Sequence, residues 1–319
     1  MKRFLFYYFL TFFILLILLS KAFSWGFFAH KNINRLAVFT LPADLAGFYK
    51  KHIDYITNQA VAPDKRRYIV KEEGARHFID LDYYLDTLQL KLPIPWKEMD
   101  SLIGEEAQLK HGILPWHLNL MKIRLTAAFK NKNGNEILKL SADIGHYIGD
   151  AHVPLHTCSN YNGQYTNQHG IHGLWESRIP EINFSNYDFW VGPAEYINKP
   201  TDAFWRMVFE SHALVDSVLI LEKQLSQTFP SDQKYSFEQR GSVMAKVYSK
   251  EYSLKYDQML KGQVEDRMRS AVKMVGSIWY SCWIDAGKPC LDEVNFYSIP
   301  EEKDQNNLAV PDHEDCHGH

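Results

Sequence analysis

Apolar residues recur at the spacing of a helix face along most of this chain, and convincing alternation of apolar with polar residues is missing. That pattern excludes a core built on a large sheet. Asn34 to Phe39 continues from His30 as a helix and is closed by Leu41-Pro42. Leu45 to Thr57 repeats the period through Leu45, Phe48, Tyr49, Ile53 and Ile56. Pro115 to Phe129 and Ile137 to Ala151 read as two further helices, with the turn-like Asn131-Lys-Asn-Gly-Asn135 between them. Thr201 to Leu225 follows, and one or two long helices fit Phe237 to Ala286, with Met259, Val264, Met268, Val272, Val275, Ile278 and Trp279 as the buried stripe. Cys158 to Pro200, rich in Asn, Gly, Tyr and Pro, reads as a long functional loop. The expectation is an all-α, single-domain, multi-helix bundle over residues 25–300, with a polar, disordered tail at 301–319.

Residues 1–24 carry the marks of a secretory leader. Lys2 and Arg3 precede an unbroken apolar run from Phe4 to Leu19, and Ala22-Phe23-Ser24 is a small-x-small cleavage site. The alternative is an uncleaved anchor, for which the run is somewhat short. Cleavage before Trp25 makes an exported protein whose first residue bears a free α-amino group. Removing the three basic residues of the leader from 35 leaves 32 against 38 acidic ones, a net charge of about −6. Such a chain does not grip duplex nucleic acid through a broad basic face, although a bound metal can supply local positive charge. Of the four cysteines, Cys282 with Cys290 is the first pair to expect in an oxidising compartment, with free thiols as the alternative; Cys158 and Cys316 complete the set.

Chemistry concentrates in a few segments. In Gly145-His146-Tyr-Ile-Gly-Asp150-Ala-His-Val-Pro-Leu-His156, His146 and Asp150 stand four apart on one helix face, and Pro154 redirects the chain to bring His156 round. Imidazole and carboxylate at that spacing suit zinc, against an otherwise apolar background. His172 and Glu176 repeat the pairing in His169-Gly-Ile-His172-Gly-Leu-Trp175-Glu176, where His169 competes for the ligand role but lacks the acidic partner. Asp64, taken alone, is a helix N-cap, and His77 a satisfied core histidine; both gain weight only beside the other segments. Trp25 offers an amine and a carbonyl, with the His30 imidazole five residues on. His-Glu-x-x-His and Gly-x-Ser-x-Gly are both absent.

The ordered set Trp25, His30, Asp64, His77, His146, Asp150, His156, His172 and Glu176 resembles the trinuclear zinc site of two related groups. These are the single-strand-specific zinc nucleases of fungi and plants and the bacterial zinc-dependent phospholipases C. The resemblance spans Trp25 to about Arg178 and implies three Zn2+ ions in a cleft. One would be held by Asp64, His77, His146 and Asp150, another by the Trp25 amine and carbonyl, His30 and a bridging Asp150, and the third by His156, His172 and Glu176. It implies hydrolysis of a phosphodiester by metal-activated water, with Asp64 and Asp150 at the reacting centre and Arg67 neutralising phosphoryl charge; the plain alternative for Arg67 is a surface residue in a basic run. In the nuclease reading, Phe78 stacks on a nucleobase and Asp80 bonds its edge, whereas Phe78 could equally be a core aromatic. Glu176, where the nucleases place Asp, and the short interval from His156 to His172 favour the phospholipase reading. Single-stranded nucleic acid or nucleotides are the first substrate expectation and phospholipid the second, for a monomeric enzyme. A third possibility is an inactive exported zinc-binding protein, with His313, Cys316, His317 and His319 in a metal-collecting tail.

Overall fold

A computed structural model of the chain describes residues 26–296, apart from 241 and 242. The leader, Trp25, the tail at 301–319 and Cys316 lie outside the described residues.

The centre of the fold is the helix Gly134–Ala151, fifteen of whose eighteen residues are buried. Asn133 caps it, its side chain accepting from the Glu136 amide. Helices Gly26–Ala37, Ile53–Gln59, Leu114–Lys130 and Gln263–Asp285 pack around it. This larger core includes Tyr49 stacked on Trp279 with ring centroids 4.7 Å apart. A second core joins Leu155, Leu174 and Trp175 to Val215–Thr228 and Lys250–Leu260. Among the described residues, no helix is long and apolar enough to cross a membrane.

Several expectations need correction. The fold is mostly α rather than all-α, because Tyr235–Arg240 and Val243–Tyr248 form an antiparallel hairpin with Phe237 opposite Lys246. Exposed and half-buried residues alternate along the second strand, but six residues make too short a window to outweigh the helical period that follows. The stretch from Phe237 to Ala286 therefore holds a strand pair and two helices, the latter divided where Lys261 and Gly262 adopt positive φ. The expected Leu45–Thr57 helix is broken at His52, and Thr201–Leu225 is divided into Pro200–His212 and Val215–Thr228. The periodicity gives no warning of Trp96–His111, a helix kinked at Gly104. The 158–200 segment is partly helical, with a π-helical turn at Gly173–Arg178 and a short helix at Ile179–Asn183. Cys158, Cys282 and Cys290 are free thiols, so the Cys282–Cys290 pair is not made. Cys282 points into the core, its thiol against the Lys122 carbonyl, while Cys290 lies exposed beyond the helix end.

Candidate metal centre

The local fold brings distant imidazoles and carboxylates to one place. His30 lies on the Gly26–Ala37 helix, Asp64 on the short helix Ala62–Arg66, and His77 directly follows the 3-10 turn Gly74–Arg76. His146 and Asp150 project from the central helix. That helix stops at Ala151 rather than at Pro154, since the residue before a proline is forced out of helical geometry, and Val153 is extended. A 3-10 turn over Pro154–Thr157 then carries His156 inward. His172 and Glu176 sit at the start of the π-helical turn, a local widening often found where a helix serves a site.

Two glycines set how closely the first helix approaches. A Cβ on Gly145 would fall 2.0 Å from Asn34 Oδ1, and one on Gly149 would fall 2.7 Å from His30 Nδ1. With both absent, Asn34 donates to the Ala142 carbonyl at 3.0 Å and His30 Nε2 comes within 3.2 Å of Asp150 Oδ1. Gly149→Ala should displace the His30 ring, destabilise the fold by about 1–3 kcal/mol and weaken metal retention. Thermal denaturation and metal analysis of that variant check this; unchanged values in both would show that the close approach is dispensable.

Asp150 lies between two sets of histidines. Its Oδ2 is 2.9 Å from His77 Nδ1 and 3.2 Å from His146 Nε2, and those two nitrogens are 3.0 Å apart. Asp64 Oδ1 completes this group at 3.8 Å from His77 and 3.7 Å from His146. The other oxygen, Oδ1, faces His30 at 3.2 Å and His156 Nε2 at 3.7 Å. Glu176 Oε2 in turn lies 3.3 Å from His156 Nε2 and 3.1 Å from His172 Nε2. Zinc–nitrogen and zinc–oxygen bonds of about 2.0–2.1 Å in a tetrahedron put ligand atoms about 3.3 Å apart. The observed separations cluster around that value.

The proton inventory also fits a cation. His146 Nδ1 donates to the Ala60 carbonyl at 2.9 Å, and His172 Nδ1 donates to the Tyr161 carbonyl at 3.2 Å. In each neutral ring this leaves a lone pair on Nε2, aimed at the cluster; a backbone partner of this kind orients metal-binding imidazoles. His30 Nδ1, His77 Nε2, His156 Nδ1 and His172 Nε2 are buried without a hydrogen-bond partner. Of these only His172 Nε2 faces the cluster; His30, His77 and His156 turn their other ring nitrogens, Nε2, Nδ1 and Nε2, towards its carboxylates. Three groups, His30 with Asp64 and His146, His77 with His146 and Asp150, and His156 with His172 and Glu176, could each hold a metal ion.

Without an ion, protons take the role of counter-charge. Burial alone would raise the Asp150 carboxyl, but His146 and His156 hold it well below the carboxylate range. Asp64 is lowered against burial by His146, His77 and His30, and Glu176 is held well below its usual value by His172 and His156. Burial disfavours charge on His146, yet Asp150 and Asp64 raise it to about 9. His156 is likewise raised by Asp150 and Glu176, whereas burial wins at His77 and lowers it to about 4.

The other expected residues are placed as follows. Arg67 is half-buried and close enough for its charge to oppose protonation of His156. Phe78 is 3% exposed, and its carbonyl accepts from the Leu114 amide. Asp80 receives His111 Nδ1 at 3.1 Å, and the His111 ring stacks on Tyr83. Phe78 and Asp80, which the resemblance would set against a nucleobase, are thus both buried, with Asp80 paired to His111. His169 is exposed, and His172 stands in the cluster instead.

Glu73 escaped the sequence reading. It is fully buried, lies 3.9 Å from His77 Nε2, and receives Arg66, Arg76 and the Tyr147 hydroxyl. Its four-residue spacing from His77 was the available signal. No protein-family model matches this sequence and no curated protein matches it, so the assignment of a metal centre rests on the convergence of these side chains.

Proposed function

We propose that this chain is an exported, zinc-dependent phosphodiester hydrolase acting on single-stranded nucleic acid or nucleotides, with three zinc ions in the cluster. The observation that carries the reading is Asp150, whose two oxygens are divided between separate histidine sets, the arrangement needed for a carboxylate to bridge two ions. Bound there, zinc would polarise the phosphoryl group and lower the pKa of water for in-line attack at phosphorus.

The chain's own residues have distinct tasks. Asp64, His77, His146 and Asp150 would hold one ion, and His156, His172 and Glu176 another. His30 faces Asp150 Oδ1, and with the Trp25 amine and carbonyl it would complete the third. Arg67, at the edge of the cluster, would neutralise charge growing on the phosphoryl oxygens. A net charge of about −6 after leader removal suits a substrate engaged at a small cationic site rather than along a broad duplex face.

A specific observation favours the phospholipase C reading: Phe78 is buried and Asp80 is engaged by His111, so this pair does not present a surface to a base. One experiment separates these readings. The mature protein should contain zinc, and its hydrolysis of single-stranded DNA, RNA and phosphatidylcholine should be compared side by side. Turnover of DNA or RNA supports the nuclease, turnover of phosphatidylcholine alone the phospholipase, and zinc without turnover of any of them would leave only an inactive metal-binding protein.

A further inference from the structure

The face of the central helix that carries Leu140, Asp143 and Tyr147, rather than His146 and Asp150, borders a groove of about 490 Å³. Four cations line it: Arg66, Arg76, Arg124 and Lys139. Two of them are already engaged. Arg66 forks onto Asp143 at 3.2 and 3.0 Å, and Arg76 pairs with Glu73. Arg124 and Lys139 are exposed and make no ion pair or side-chain hydrogen bond among the described residues. The lining carboxylates are Asp143, held by Arg66, and Glu136 at the exposed start of the helix.

His117 marks what the groove lacks. It lines the groove, is 5% exposed, and its Nε2 has no hydrogen-bond partner. Its ring stands edge-on to Tyr147, with centroids 4.6 Å apart. Burial, reinforced by Arg76, His77, Arg124 and Arg66, drives it down to about 2, so the ring is neutral. A neutral imidazole can still donate one hydrogen bond, and guanidinium groups match the oxygens of a tetrahedral dianion in geometry and charge. The volume exceeds that of a bare ion, and Met121, Ala128 and Leu140 give it one apolar wall.

The geometry points to a second binding site, separate from the metal cluster, that takes a phosphate dianion, free or as the terminal group of a phosphomonoester. Arg124 and Lys139 contact its oxygens, a small turn of the buried His117 ring brings Nε2 to them, and the ester portion lies along the Met121–Leu140 wall.

The test uses the mature, metal-loaded protein with 13C-labelled histidine rings, the His117 signal being assigned by its loss in His117→Gln. Titration with inorganic phosphate, and separately with phenyl phosphate, should move that signal saturably. In Arg124→Ser/Lys139→Ser the midpoint should rise about tenfold. Both positions are exposed, and an unchanged thermal midpoint and zinc content verify that this variant is folded; Lys139→Ser alone serves if it is not. A tighter midpoint for the ester assigns the site to phosphomonoesters, and equal midpoints assign it to free phosphate. A His117 signal that stays still, or that moves with the same midpoint in the variant, overturns the proposal, since phosphate would then act only at the cluster. The readout does not depend on turnover, so loss of the hydrolase reading would leave it standing.

Discussion

Replacing Asp150 by alanine is expected to lower the zinc content of the purified protein and cut phosphodiester hydrolysis by more than about a hundredfold. Removing a mere supporting partner of a metal ligand typically costs about 10–100-fold, and Asp150 faces four imidazoles directly. Loss of this carboxylate also strips His146 and His156 of the charge that most strongly favours their protonation. Breaking a buried ion pair on one side costs about 3–5 kcal/mol, so the metal-free variant should denature well below the metal-free parent. Elemental analysis, initial rates and calorimetry measure the three effects. A variant with the full zinc complement and the parent rate would refute the bridging role. Asp150→Asn, which keeps the shape, should recover part of the stability but not the rate.

The second large effect is a dependence of zinc stabilisation on pH. In the metal-free protein His146 is raised to about 9 from an ordinary 6.5. A raised folded value means that protonated His146 contributes stability fully below about pH 6.5 and loses it as pH climbs through about 9. The depressed carboxyls of Asp64, Asp150 and Glu176 act in the opposite sense. Their contribution is present above their ordinary values near 4 and disappears as pH falls through the lower folded ones. These groups therefore favour the metal-free fold at roughly pH 4.5–6.5. Zinc requires deprotonated imidazole, so each proton displaced makes binding about tenfold tighter per pH unit. The gap between melting temperatures in excess zinc and in EDTA should widen from pH 6.5 to pH 9. A gap that is constant or shrinks over that range would show that His146 gives up no proton to the metal.

The convergence of the candidate ligands was legible in part, for reasons visible in particular residues. His146 with Asp150, and His172 with Glu176, stand four apart on helical backbone, and that spacing alone predicts a shared face. The meeting of His30 with Asp150 depends instead on Gly145 and Gly149, and no local pattern announces which helix will press against a pair of glycines. Glu73 was missed because its role is collective: its partners Arg66, Arg76, His77 and Tyr147 come from three elements. Leu114–Lys130 and Gly134–Ala151 carry strong apolar stripes and are readable with ends that shift by a few residues, whereas the helical period after Phe237 hides the start of Gln263–Asp285. The hairpin was lost because its faces mix Phe237 and Met244, both exposed, with Lys246 and Glu238. Burial, not alternation, decides whether such a segment announces itself.

The cluster gathers side chains from His30 to Glu176 while the cysteines within the described residues stay unpaired. An ion shared by His30 and Asp150 would act as a reversible cross-link closing a loop of roughly 120 residues, and a closure of that size removes about 5 kcal/mol of chain entropy from the unfolded state. Topologically, the ions would do for this chain what disulfides do in disulfide-bonded proteins. The difference is that a chelator, rather than a reductant, would open the ring.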